Sequence, residues 1–65
     1  MFKMDYYDDS GVRKIFSSDS KEAVIDYAIS KYSDWIVLSI YKVNVTGDVE
    51  PIWDCLSGDD LQSLK

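Results

Sequence analysis

The stretch WIVLSIYKVNV, residues Trp35 to Val45, decides the fold. β-branched and aromatic side chains dominate it, the types that fit a pleated and packed surface, so it reads as the central strand of a sheet. Successive side chains of a strand point to opposite faces. Ile36, Leu38 and Ile40 are therefore expected to fasten a helix, while Val37, Tyr41 and Val43 point away from it.

Downstream, Thr46-Gly47-Asp48 suits a hairpin with Gly47 in the first position of a two-residue type II′ loop, and Val49 to Cys55 forms the returning strand. That register sets Lys42 opposite Trp53, Tyr41 opposite Asp54 and Val43 opposite Ile52. Pro51 cannot donate to a ladder, which puts this strand at the edge of the sheet. Ser57-Gly58-Asp59-Asp60 resembles a cap ahead of a short helical turn carrying Leu61 and Leu64.

Upstream, Ser18-Asp19-Ser20-Lys21-Glu22 marks a helix start, with Asp19 accepting from the first turn and Glu22 reaching back. Val24, Ile25, Ala28, Ile29 and Tyr32 then share one stripe, and Tyr27 lies at its polar margin. Phe2 to Tyr7 alternates in the manner of a half-buried strand. Asp8-Asp9-Ser10-Gly11 supplies a four-residue loop to a second strand, Val12 to Ser17, in a register with Asp5 opposite Lys14 and Met4 opposite Ile15.

The predicted architecture is a single small α+β domain over residues 1–65 in the order β-β-α-β-β. A right-handed crossover joins both hairpins into a four-stranded, mainly antiparallel sheet of order 2-1-3-4, with one helix on one face and a short C-terminal helical turn. Phe2, Met4, Tyr6, Ile15, Ile36, Leu38, Ile40, Trp53 and Cys55 are expected to meet the helix. The opposite face carries Tyr7, Val12, Phe16, Val37, Tyr41, Val43 and Ile52 among Lys3, Asp5, Lys14, Ser39 and Asp54. Such a face is unusually apolar, and exposed patches of that kind mark association sites. Two other arrangements remain open: the C-terminal segment folds back over this face, or bulges redistribute its residues.

Composition narrows the function. The chain has 65 residues, twelve acids against seven bases and a formal charge of -5, which disfavours direct contact with nucleic acid and with anionic membranes. It contains no histidine, the commonest general base and metal ligand. Cys55 stands alone, excludes an internal disulfide, and is expected to be an inert core residue beside Trp53. No apolar run is long enough to span a bilayer and no signal core opens the chain, so it reads as cytoplasmic.

Topology is expected to gather Asp8, Asp9, Asp34, Asp59 and Asp60 at one end of the sheet, as a docking surface for a basic partner or as a set of solvated turn and cap residues. No loop has the ligand spacing of a calcium hand, and no cofactor is implied. The reading is a small acidic, non-enzymatic protein-interaction module that associates through its open sheet face as a homodimer. The alternative is an acidic inhibitor or nucleic-acid-mimicking decoy, of the mobile-element type, docking on a basic protein.

Overall fold

The structure, a computed structural model, describes residues 1–64. Its elements are β1 (Phe2–Tyr7), β2 (Arg13–Ser18), α1 (Lys21–Lys31), β3 (Ile36–Val43), β4 (Val49–Asp54) and a 3-10 turn (Leu61–Leu64). The strands form one four-stranded sheet in the order β2-β1-β3-β4, with each neighbouring pair antiparallel. The order of elements and the strand order are those expected from the sequence.

The registers differ from expectation, and one turn chemistry explains both cases. In the first hairpin Gly11 N–H donates to Asp8 C=O at 3.0 Å and Asp8 N–H donates to Val12 C=O at 3.1 Å. In the second, Gly47 N–H donates to Asn44 C=O at 2.9 Å and Asn44 N–H donates to Asp48 C=O at 2.9 Å. Gly11 and Gly47 sit at φ +81° and +91°. This is the three-residue hairpin loop that closes on a left-handed residue, a conformation glycine adopts without a Cβ penalty.

The first register consequently moves by one residue. Asp5 lies opposite Ile15 and Met4 opposite Phe16, in place of the expected Asp5 with Lys14 and Met4 with Ile15. Because the side-chain period of a strand is two, that step exchanges the faces of β2. Phe16 goes to the helix side and Ile15 becomes 55% exposed on the other.

Two bulges complete the exchange. Between β1 and β3, Asp5 pairs with Ser39 but Tyr6 pairs with Val37, so Leu38 is the extra residue. An inserted residue shifts the alternation, which turns Val37 toward the helix, where it is 2% exposed, and leaves Ile36 62% exposed. Between β3 and β4, Ile40 pairs with Trp53 and Tyr41 with Pro51, which makes Ile52 the extra residue. The expected pairings of Lys42, Tyr41 and Val43 with Trp53, Asp54 and Ile52 are replaced by Glu50, Pro51 and Val49.

The core comprises Met4, Tyr6, Val24, Ile25, Ala28, Val37, Ile40, Trp53 and Leu61. Helix α1 begins at Ser20, whose Oγ accepts from Ala23 N–H at 3.2 Å, so the cap is Ser20 and not Asp19. Its buried stripe is Val24, Ile25 and Ala28, with Ile29 packed alongside, whereas Tyr32 is 55% exposed and meets the edge of Trp53. Tyr27 is packed in, not out: its ring stacks on Phe16 at 4.2 Å and meets the edge of Trp35, which stacks on Tyr6 at 4.7 Å.

Cys55 is exposed, contrary to the expected inward position. β4 ends at Asp54, and Cys55 N–H donates to the carbonyl of Leu38 as the chain enters a turn. The segment that follows returns to the helix side. There Trp53 Nε1–H donates to Asp59 C=O at 3.1 Å and Leu61 is buried in the core.

The hairpin account is checked by substitution. Gly11→Ala and Gly47→Ala are each expected to lower the unfolding free energy by about 1 kcal/mol, and their effects to add, since each forces a side chain into the left-handed region at a separate turn. Urea unfolding of the single and double variants measures this. Two neutral substitutions would contradict the assigned loops.

Candidate functional site

Helix and C-terminal segment both pack on one side of the sheet, and the described residues leave the other side uncovered. Directly opposed residues share a face, so the pairings lay this side out in rows. Arg13, Tyr7 and Ile36 form the first; Ile15, Asp5, Ser39 and Asp54 the second; Ser17, Lys3, Tyr41 and Pro51 the third; Val43 and Val49 the last.

Of the residues expected here, Tyr7, Tyr41 and Val43 are present and half-buried. Val12 lies opposite Asp8 and out of step with Arg13, so the shifted register takes it off this face, and it is 51% exposed. Phe16 and Val37 are not on this face, having been turned to the helix side by the shifted register and the β3 bulge. Ile52 is the bulged residue of β4 and packs against the core. The face gains Ile15, Ile36 and Val49, all more than half exposed. Its apolar area therefore lies toward the margins, in place of one central patch.

The centre is a charge pair. Asp5 is buried in the middle of the sheet, and Arg13, diagonal to it on β2, donates from Nε to Oδ1 at 2.9 Å and from Nη2 to Oδ2. Such a fork matches a planar guanidinium to a carboxylate, and the hydrogen bond to Asp5 raises the Arg13 pKa above its usual range. Only the carboxylate is buried, the Arg13 side chain being 63% exposed, so the fork lays the guanidinium over Asp5 from the solvent side and ties β2 to β1 at this end.

Asp8 anchors the adjacent turn. Its Oδ1 accepts from Ser10 N–H, Ser10 Oγ–H and Val12 N–H, at 3.0, 2.8 and 3.0 Å, while Oδ2 takes Lys14 Nζ at 2.8 Å. The Lys14 bond, with the donors from Val12 and Ser10, holds the Asp8 carboxyl well below the usual carboxylate range. The same bond raises the Lys14 ammonium.

The expected acidic cluster does not form a ligand set. Among the described residues no three histidine, cysteine, aspartate or glutamate side chains lie close enough to hold a metal ion. Asp8 is neutralised by Lys14, and Asp60 Oδ1 accepts from Gln62 N–H at the 3-10 turn. Asp59 offers its carbonyl to Trp53, and Asp34 N–H closes the turn after α1. Asp9, Asp34, Asp59 and Asp60 are all exposed.

A shallow cleft between α1 and the 3-10 turn is lined by Glu22, Ile25, Asp26 and Leu64. It brings together two carboxylates and two aliphatic side chains. No helix of the described chain is long and apolar enough to cross a membrane.

No protein-family model matches the chain, and neither a curated protein nor a solved structure is significantly similar to it.

The depressed Asp8 pKa carries a sign. Its stabilising contribution is fully present above the ordinary aspartate pKa of about 4 and is lost as the pH falls toward the lower folded value. Wild-type urea midpoints are expected to fall between pH 4 and pH 2, and Asp8→Asn to show a shallower fall along with lower stability at pH 7. Parallel curves for the two proteins would contradict the assigned role.

Proposed function

We propose that this chain is a small, non-enzymatic protein-interaction module of the cytoplasm, working through the open side of its sheet, with a second copy of itself as the simplest partner. One observation carries the reading: the C-terminal segment packs Leu61 and Leu64 on the helix side, so nothing described covers the side that bears Tyr7, Tyr41, Val43, Ile15, Ile36 and Val49. A mixed surface of tyrosines, aliphatic side chains and a fixed Arg–Asp pair has the composition of a non-obligate interface, in which aromatic and arginine residues are enriched. The small core supports the same view, because a domain of this length without a disulfide gains stability by association.

Docking on a basic protein through the acidic end is the weaker reading. Asp8 is matched by Lys14 and Asp60 serves as a cap, which leaves less uncommitted charge there than the sequence suggests.

Sedimentation velocity over a range of concentrations tests the proposal. The wild type is expected to associate as concentration rises, and the triple variant Ile15→Asp/Tyr41→Asp/Val43→Asp to remain monomeric with an unchanged far-ultraviolet circular dichroism spectrum. A wild type that stays monomeric throughout would overturn it.

A further inference from the structure

We infer that two copies join edge to edge through β2, antiparallel about a two-fold axis at Ile15, so that both sheets become one and their open faces run together. The inference rests on the homodimer reading above and names where the copies meet. The two edges of the sheet are unequal. On β4 the edge is interrupted by Pro51, which lacks an N–H, and by the bulge at Ile52, both of them devices that block strand addition. The β2 edge has neither proline nor bulge, and its pairing to β1 is continuous from Phe2 with Ser18 to Tyr7 with Arg13.

Which backbone groups are free follows from the turn. Asp8 and Val12 are a hydrogen-bonded pair, and in an antiparallel ladder such pairs alternate with non-bonded ones. Lys14, Phe16 and Ser18 therefore bond to β1, while the N–H and C=O groups of Arg13, Ile15 and Ser17 point out of the sheet.

Pairing these outward groups with their equivalents in a second copy leaves few registers. Centring on Arg13 or on Lys14 sets like charges directly opposite, which is destabilising. Centring on Ile15 sets Arg13 opposite Ser17, Lys14 opposite Phe16 and Ile15 opposite itself, and it overlaps nearly the whole strand, with about six backbone hydrogen bonds. No cation meets a cation in that register, and each is already matched in its own chain, Arg13 by Asp5 and Lys14 by Asp8. Ile15, 55% exposed, lies on the axis, where the second copy would cover it.

Amide hydrogen exchange of the full chain, followed by nuclear magnetic resonance at low and high protein concentration, reads this directly. Exchange at Arg13, Ile15 and Ser17 is expected to slow about tenfold or more as the dimer fills, whereas Lys14 and Phe16 are protected by β1 at both concentrations. Ile15→Pro removes an N–H that β1 does not use, besides fixing φ there, and is expected to abolish association; Ile15→Lys sets like charges on the two-fold axis and serves the same purpose without touching the backbone. Val43→Asp, on the same face as Ile15 but two strands from the β2 edge, separates edge from face: the edge inference expects the dimer to survive it. If Val43→Asp dissociates the dimer and both Ile15 variants do not, the edge inference is overturned and association through the face stands. If exchange and sedimentation are both independent of concentration, both proposals fall.

Discussion

A strand's side chains alternate with a period of two, so a one-residue error in pairing exchanges the two faces of a sheet. Here the pairing is set by Gly11 and Gly47, each in the left-handed region at the close of a three-residue loop. Asp8 reinforces the first loop with its own carboxylate, which takes up backbone donors from Ser10 and Val12 and the ammonium of Lys14. From these turns follow the burial of Phe16, the exposure of Ile15 and the diagonal contact that lets Arg13 clamp Asp5.

Element order, strand order and the helical stripe of Val24, Ile25, Ala28 and Ile29 are legible in the sequence, because each rests on a repeated local pattern. The turns are legible too, on a closer reading: Asp8 and Gly11, and again Asn44 and Gly47, stand at the same spacing, with an Asx residue first and glycine last. Treating Gly47 as the first residue of a shorter loop hides that identity and displaces the second register. Two good caps stand side by side at Asp19 and Ser20, and propensity does not choose between them. What propensity cannot carry at all is a bulge. Leu38 and Ser39 fit either alternation, and only packing of Val37 against the core shows which residue is extra. Cys55 follows from the same limit, since the end of β4 is set by the bulged partner strand.

The consequence for function is a change in the character of the open side. With Val37 in the core and Phe16 and Ile52 packed against it, the open face is organised about the Asp5–Arg13 pair, with tyrosines beside it and aliphatic side chains toward the edges. The acidic end loses part of its apparent charge in the same way, to a lysine and to a helical cap. The proposed association accordingly uses the β2 edge of the sheet, where the exposed Ile15 and outward-pointing backbone groups coincide.

Solvent paramagnetic relaxation, measured with a soluble gadolinium chelate at two protein concentrations, tests the central claim that one side of this sheet is open, together with the proposal that copies meet at its β2 edge. At low concentration the methyl signals of Ile15, Ile36 and Val49 should relax strongly and those of Met4, Val37 and Ile40 weakly; at high concentration Ile15 should become protected while the core signals stay unchanged. Strong relaxation of Val37, or an Ile15 signal indifferent to concentration, would contradict it.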